Sequence, residues 1–367
     1  MIHALFLLVQ LVFWAGPVRR LAALGRKRPT PVEGPISPIS VVVCARNEAE
    51  NLRMHLPGWL AQHGLSEWEL IVVDDASTDA TPAVLAECEK DSPALRVLRL
   101  EADSPRPWAG KKTALMAGIS AARYERVLLT DADCAVGPDW AARMASAFGP
   151  DTDVVLGFGP YAAGPGMLNR WIRFETLWTG IQYLSLAHAG AAYMGVGRNV
   201  AYRKSAFLSA AKVFDDRPDL PSGDDDLVVN RLARPGRTEV CLDPAAFAVS
   251  QPKTTWRDWL RQKQRHLGTG KHYRAGHVVM LSALSLSHFA SWWGLLGWPF
   301  FSPWETLLAA GLFTLRCAMV AFWGHTLARR LGAPSLAPAY LLYDAFFTLY
   351  YCLLFPFTLF GKSVRWK

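Results

Sequence analysis

The sequence predicts an α/β domain with a mainly parallel sheet, set between apolar ends. Three observations carry this. From Ile39 onward, short apolar runs alternate with stretches of helical length and pattern, as strands joined by crossover helices do. Two of the runs, Ile71-Val72-Val73 and Val127-Leu128-Leu129-Thr130, stop at acidic clusters, Asp74-Asp75 and Asp131-Ala132-Asp133. In open α/β sheets, ligand sites lie outside the carboxyl ends of the strands. Finally, apolar residues crowd 1–18 and 277–360 while most charge lies between, which indicates membrane segments attached to a soluble domain.

The first element is apolar. Residues 2–18 form a short apolar stretch with no positive charge before it and Arg19 and Arg20 after it. A secretory signal begins basic. The reverse order puts the N-terminus outside and the chain beyond Arg19 in the cytoplasm, by the positive-inside rule. We expect an N-terminal anchor over 1–18 and a basic, proline-rich linker over 19–38. Strands are expected at Val41–Val43, Glu69–Val73, Leu95–Leu100, Arg126–Thr130 and Val154–Phe158. Helices fall between them at Glu48–Gln62, Ala80–Lys90, Lys111–Ala122 and Pro138–Phe148. Ser77 and Asp79 are suited to capping the second of these, and Pro138 to starting the last. A long helix over Leu168–Ala189 carries Trp171, Phe174, Trp178 and Tyr183, read as packing residues. Gly195–Tyr202 reads as a loop and short strand, Asp225–Ala233 as a helix behind an acidic cap, and Thr254–Lys271 as a basic amphipathic helix.

The soluble domain is thus 39–253, with an interfacial helix in 254–276 and a membrane region over 277–367. That region holds three apolar stretches, 277–300, 304–327 and 336–360. Three spans after a cytoplasmic domain would place Lys362, Arg365 and Lys367 outside, against the positive-inside rule. The conflict disappears if one stretch is re-entrant or interfacial. Trp292, Trp293, Trp298, Pro299, Pro303 and Trp304 single out the first.

Composition narrows the class. The 367 residues are 51% hydrophobic and include 15 Trp, with a net charge of +8. The bases gather at the membrane edges, at Arg19–Arg28 and Arg257–Arg274, where a basic rim facing anionic lipid explains them. No zinc finger, basic zipper or RNA-recognition motif is present, so nucleic acid is not the expected partner. The six cysteines are scattered without a Cys-x-x-Cys pair and read as reduced thiols facing the cytosol. Cys-Ala-Arg-Asn-Glu-Ala comes after the first strand, where a dinucleotide-binding oxidoreductase would need Gly-x-Gly-x-x-Gly. A P-loop fails at Gly110-Lys111-Lys112-Thr113, because Pro105 stands at the first glycine and Lys112 at the Ser/Thr.

Seven motifs occur in one order: Val41–Leu52 (VVVCARNEAENL), Ile71–Thr81 (IVVDDASTDAT), Gly110–Leu115 (GKKTAL), Thr130–Asp133 (TDAD), Gly195–Tyr202 (GVGRNVAY), Gly223–Leu227 (GDDDL) and Gln262–His266 (QKQRH). Over residues 39–272 this series resembles the membrane-bound, inverting family 2 glycosyltransferases with a GT-A fold, which include the cellulose synthase and ceramide glucosyltransferase types. The resemblance implies a sugar transferred from a nucleotide donor, of the UDP-sugar type, with Mg²⁺ or Mn²⁺ as cofactor.

It also implies site roles. Asp74 and Asp75 would contact the base and ribose, since a carboxylate accepts hydrogen bonds from a base N–H or ribose hydroxyls; the same residues also make a good Asx turn. Glu48 matches a position near the nucleotide, and equally suits the first turn of a helix. Lys111 would lie near the donor. Asp131 and Asp133, two residues apart on an extended segment, point to the same side and can hold a hard cation on the diphosphate oxygens. Asp224 and Asp225 fall in the region of the catalytic base, which takes the acceptor's proton. Counting back from Leu227 selects Asp224, whereas reading Gly-Asp-Asp from the left selects Asp225. Gln262, Arg265 and His266 match Gln-x-x-Arg-Trp, whose Gln and Arg help bind the diphosphate; His266 replaces the stacking Trp. Arg198 and Asn199 match a loop near the acceptor.

The apolar stretches are too few for an obvious polymer channel in one chain, so a lipid or lipid-linked acceptor is expected. A polysaccharide synthase subunit that needs partner chains is the alternative. A nucleotide-binding scaffold without chemistry has no need for Asp-x-Asp, Gly-Asp-Asp and Gln-x-x-Arg together.

Overall fold

The structure is a computed structural model that describes residues 1–24 and 36–360, without the side chains of 265–267 and 355–360. The chain opens with α1 (Ile2–Phe13), a π-helical turn over Trp14–Val18 and α2 (Arg19–Leu24). After β1 (Ile39–Ala45) come α3 (Ala49–Leu60), β2 (Trp68–Asp75), α4 (Thr81–Asp91), β3 (Leu95–Leu100), α5 (Lys112–Ala121) and β4 (Arg126–Asp131). Next are β5 (Cys134–Val136), α6 (Trp140–Ser146), β6 (Val154–Leu156), α7 (Met167–His188), β7 (Val200–Arg203), α8 (Lys204–Ala210), α9 (Asp226–Leu232), β8 (Thr238–Val240), β9 (Ala248–Ser250) and α10 (Trp256–Leu267). The chain continues with α11 (Ala275–Trp293), α12 (Pro303–Arg330) and α13 (Tyr340–Phe360).

Seven strands form the central sheet in the order β3-β2-β1-β4-β7-β6-β8. The first four are parallel, β7 is antiparallel to both its neighbours, and β8 is parallel to β6. This is the mixed, mainly parallel α/β sheet expected. The short strands β5, β8 and β9 were not foreseen. Each has only three residues, too few for a period to register. Alternate residues of the central strands feed two cores: Val41, Val43, Leu70, Val72 and Leu128 meet α3 and α6, and Val42, Ile71, Val73, Val127 and Leu129 meet α5. The second core continues through α7 to Trp14, Val18, Leu21, Val320, Leu327 and Tyr340. One apolar interior therefore joins the sheet to the apolar helices.

Three helical segments among the described residues, Ile2–Leu24, Ala275–Phe300 and Pro303–Arg330, are long and apolar enough to cross a membrane. The first six residues of the expected linker, Arg19–Leu24, are helix. Leu21 and Ala22 bury against the core, and that packing extends the helix past the arginines. The rest of the expected linker, apart from residues 36–38, lies outside the described residues. Helix α11 runs antiparallel to α1, with Gln10 Nε2 donating to Leu284 O at 3.1 Å and Ser287 Oγ at 2.9 Å. Near the other end of α11, Trp298 Nε1 donates to His3 Nδ1 at 3.0 Å. Helix α12 runs parallel to α1, its start tied by Glu305 to the Met1 ammonium at 3.0 Å and its end by Arg330 to Ala22 O.

The last apolar stretch behaves differently. Along α13, Tyr340, Tyr343, Phe347 and Tyr350 pack on Trp171, Phe174 and Trp178 of α7. Helix α13 thus packs on α7 as well as on α11 and α12. Of the tryptophans that had marked the first stretch, Trp292 and Trp298 lie edge-on to Phe313, whereas Trp293 and Trp304 are exposed.

A buried polar knot fastens the three C-terminal helices. Asp344 accepts Trp292 Nε1 at 2.9 Å, and lies 2.6 Å from Arg316 Nη2 and 3.1 Å from His288 Nε2. Arg316 and Asp344 are fully buried, and removing one member of such a pair typically costs about 3–5 kcal/mol by leaving a charge unpaired. Asp344→Ala should therefore lower the thermal unfolding midpoint in detergent by many degrees. The double variant Arg316→Met/Asp344→Leu, with no orphaned charge, should recover most of the loss.

Candidate active site

The strand register assembles the site. Ala45 pairs with Asp74 across β1–β2, and Cys44 pairs with Asp131 across β1–β4. The two acidic clusters therefore stand on either side of the end of β1, on the order of 10 Å apart at two strand spacings. Cys44 lies between them with its thiol pushed up to about 12, chiefly by burial, so it is a neutral floor and not a nucleophile.

The loops after β1 and β2 are laced together. Asn47 adopts a left-handed backbone, and its side chain accepts the Thr78 N–H at 2.8 Å. Its own N–H donates to Ser77 Oγ, and the Glu48 N–H to Thr81 Oγ1, both at 2.9 Å. Ala76, directly after Asp75, is also left-handed, an uncommon conformation for a residue with a Cβ. Much of the Arg-Asn-Glu and Asp-Asp-Ala-Ser-Thr motifs therefore serves loop geometry.

Asp74 and Asp75 are both buried, yet they differ. Asp74 Oδ1 accepts the Ser77 N–H at 3.1 Å, closing the Asx turn. Asp75 Oδ1 meets Arg106 Nη1 at 2.5 Å, while its Oδ2, like that of Asp74, is buried without a hydrogen-bond partner. Such an oxygen carries the cost of desolvation until something donates to it. Arg106 escaped the sequence reading because it sits in an irregular loop between Pro105 and Pro107, where no periodicity singles out a residue.

Lys111 occupies the centre. Its Nζ is 2.8 Å from Asp131 Oδ1 and 3.1 Å from Asp224 Oδ2. Burial alone would lower its pKa, but the charges of Asp131, Asp224 and Asp225 reverse this and hold it well above the lysine range. It is aimed there by Gly110, whose left-handed backbone passes so close to the Pro221 carbonyl that a Cβ would collide. The next residue, Lys112, is wholly buried and donates to Leu220 O. The Asp-Asp-Asp loop and the Lys-Lys loop are thus built against each other.

The three consecutive aspartates divide their labour. Asp225 caps α9, its Oδ1 accepting the Asp226 N–H at 2.8 Å and its Oδ2 the Gly197 N–H at 2.5 Å. Burial, then the charge of Asp224, pushes Asp225 up to about 6. Asp226 turns away from Lys111 and accepts Tyr273 Oη at 2.9 Å; burial and Asp225 raise it well above the carboxylate range. Asp224 is held through Lys111 and is free of the capping bonds that engage Asp225. Asp133 is raised by burial first and by Asp131 next. Glu48 is raised by burial, with Asp133 and Asp131 adding to it, so it faces the same acidic group.

The remaining expected residues fall in three places. Arg198 lies over the Tyr161 ring at 4.4 Å, its Nε buried without a partner. Asn199 does not reach an acceptor. It is wholly buried, donates to Phe158 O and Ala246 O at 2.8 and 2.7 Å, and accepts Trp140 Nε1 at 3.0 Å. All its bonding capacity is spent on the core, so the acceptor-contact reading is corrected for this residue. Gln262 on α10 donates to Tyr161 Oη at 3.2 Å, joining that helix to the Arg198 side of the site. Arg265 and His266 are on α10 as expected, but their side chains lie outside the described residues. Glu175 of α7 was not anticipated. It binds Lys263 Nζ at 2.7 Å and Trp259 Nε1 at 3.2 Å from α10, and Tyr350 Oη from α13.

Comparison with known proteins agrees with this arrangement. The family description "Glycosyl transferase family 2" matches residues 40–208, and "Glycosyl transferase family group 2" matches residues 126–359. The succinoglycan biosynthesis protein ExoO of Rhizobium meliloti is 37% identical over 106 residues, 29% of this chain and 28% of that protein. The beta-monoglucosyldiacylglycerol synthase of Nostoc sp. is 30% identical over 125 residues, 32% of this chain and 25% of that protein. The chain thus matches little more than a quarter of these relatives' length. The mannosyltransferase PcManGT from Pyrobaculum calidifontis, solved with GDP-Man and Mn²⁺, superposes with a TM-score of 0.52 at 19% identity. That likeness covers 95% of this chain and 99% of that one, and it shows the GT-A fold. On the match that runs from the middle of the sheet into the last apolar helix, the chain belongs to the family 2 glycosyltransferases.

Proposed function

We propose that this protein is a membrane-anchored, metal-dependent, inverting glycosyltransferase that moves a sugar from a UDP-sugar to the hydroxyl of a lipid acceptor. The observation that carries the reading is the Lys111 ammonium touching both Asp131 and Asp224. A carboxylate suited to the diphosphate end and one suited to taking a proton stand within reach of one atom. An in-line displacement at a sugar carbon needs these two functions on opposite sides of it.

In this reading Asp75 Oδ2 accepts a hydrogen bond from the base or ribose, with Arg106 fixing the carboxylate. Asp131 and Asp133 hold the cation. Among the described residues no cluster of three or more His, Cys, Asp or Glu forms a protein-only metal site. Two carboxylates suit Mg²⁺ or Mn²⁺, which leaves positions for phosphate oxygens and water. That Asp131 already engages an ammonium supports a cation there, as does the Mn²⁺ in the solved neighbour of the same fold. When bound, such a cation offsets charge on the leaving diphosphate. Asp224 takes the proton from the acceptor hydroxyl. The hydroxyl oxygen bonds to the anomeric carbon as the bond to the diphosphate breaks, and the nucleoside diphosphate leaves with the electron pair. Asp225 holds the Gly197 loop and the start of α9 in place. Lys111, Gln262 and Arg265 offset donor charge.

Charge and packing support a cytoplasmic catalytic domain. Ile2–Leu24 would enter with its N-terminus outside, Ala275–Phe300 would leave, and Pro303–Arg330 would return. Arg19, Arg20, Arg329 and Arg330 then share the cytoplasmic edge, as the positive-inside rule asks. Helix α13 packs on α7 and is tied to α11 and α12 through Asp344. Three candidate spans form no obvious polymer channel, which favours a lipid acceptor, as does the glycolipid-synthase relative.

The test is transfer from a panel of labelled nucleotide sugars by purified protein in detergent and mixed lipids, with Mg²⁺ or Mn²⁺ against chelator. Label in the lipid extract, lost on chelation, is the expected result; label in insoluble polymer would favour a polysaccharide synthase. Asp224→Asn should lower kcat by about 10²–10⁴-fold, with donor KM nearly unchanged. Asp133→Ala should abolish the metal response.

Asp225 is pushed up to about 6, so acid below that should protonate it, loosen its hold on the Gly197 N–H and the start of α9, and lower the rate. Asp225→Asn cannot titrate there, so this acid limb should disappear or move to lower pH. A limb that stays in place in the variant would contradict this assignment.

A further inference from the structure

An apolar groove of about 390 Å³ opens where α1, α11 and the end of α7 meet. Its walls include Leu8, Val12 and Pro17 of the first helical rod, Leu186 of α7, and Met280 and Leu284 of α11. Three features set it apart from a lipid-facing surface in general.

The first is its depth. Pro17 is two residues from Arg19 at the charged edge, and Leu8 lies nine residues farther in. At 1.5 Å per residue that is about 14 Å, close to half of the ~30 Å hydrocarbon thickness. The groove therefore spans one leaflet, the one facing the catalytic domain. The second is its mouth, which is formed at the π-helical turn Trp14–Val18 containing Pro17. Single π-turns within α-helices are rare and frequently mark functional sites.

The third is continuity with the aspartates. On one side, Asp226 holds Tyr273, whose ring meets Tyr193 at 6.0 Å; Tyr193 Oη donates to Gln182 at 2.9 Å, one helical turn before Leu186. On the other, Asn230 of α9 lies 2.9 Å from His277 Nδ1, one turn before Met280 on α11. Both walls begin beside α9 and end in the groove.

We propose that this groove seats one hydrocarbon chain of the acceptor lipid, so that its headgroup hydroxyl is delivered from the leaflet to Asp224. This rests on the lipid-acceptor reading of the active site. The occupant is a hydroxyl-headed lipid, because the headgroup that reaches Asp224 must carry a hydroxyl able to give up its proton.

The experiment reconstitutes the full chain in phosphatidylcholine vesicles with a diacylglycerol carrying a diazirine in one acyl chain. Photolabel should concentrate on peptides containing Val12–Pro17 and Met280–Leu284, and unlabelled dioleoylglycerol should compete it away. Ala283→Trp fills the groove and should abolish this labelling, while the exposed α12 face at Leu307 and Leu315 labels as before. The same variant should raise KM for dioleoylglycerol by about tenfold or more. KM for the nucleotide sugar and for dihexanoylglycerol should be unchanged. Labelling that no lipid competes away, equal on the groove and on α12, would mean bulk lipid only and would overturn the groove. Equal effects of Ala283→Trp on long and short acceptors would do the same. Saturable labelling without transfer to any lipid would overturn the acceptor reading alone.

Discussion

The structure depends on the gathering of like charges at one end of a sheet. Asp131, Asp133, Asp224, Asp225 and Asp226 cannot all be ionised and dry at low cost. The protein offsets this with the Lys111 ammonium, with backbone N–H groups, and with raised carboxyl pKa values. Lys111 compensates Asp131 and Asp224, the start of α9 and Gly197 compensate Asp225, and Tyr273 serves Asp226. The arrangement is thereby tolerable without ligand. Loops distant in sequence must meet for this to work, which explains why Gly110 passes so close to Pro221 that no larger residue fits.

A second dependence runs from the sheet to the apolar helices. Glu175 is buried in α7, yet it joins α10, which carries the Gln-x-x-Arg motif, to α13. A carboxylate buried with one ammonium, one indole and one phenol is costly to disturb, since removing a partner leaves a polar atom unsatisfied. The helix that bears Gln262 is thus located by the same residue that anchors the last apolar helix. The position of the candidate site relative to the apolar helices is then set by packing.

Much of this was legible in the sequence. Runs such as Val41–Val43 and Val127–Leu129 are buried on both faces of a parallel sheet, so they read as continuous apolar strands. Their acidic ends read as a site because strand ends in such sheets point toward ligands. The features that failed to read were those that depend on packing between distant elements. Asn199 stands in a motif near the site, but its side chain turns into the core because Phe158, Ala246 and Trp140 offer a full set of partners. The three aspartates could not be ranked from register, since Asp225 is separated from Asp224 by its capping bond to Asp226 and its bond to Gly197. Hydropathy also treats α11 and α13 alike. Only the aromatic face of α7 shows that α13 packs along it through Tyr340, Tyr343, Phe347 and Tyr350, while α11 pairs chiefly with α1 and meets α7 at His288.

These constraints bear on how an acceptor arrives. The sheet's carboxyl ends are roofed by the Lys-Lys loop on one side and by α10 on the other, leaving α9 and Tyr273 as the edge nearest α11. A lipid would gain two things. Its chain would remain in hydrocarbon throughout, avoiding about 0.8 kcal/mol for each CH₂ drawn into water. Its headgroup would travel only the few helical turns between Met280 and Asp226. The separation of polar donor chemistry at the strand ends from apolar lining along α11 is what a reaction between a water-soluble donor and a bilayer-held acceptor requires.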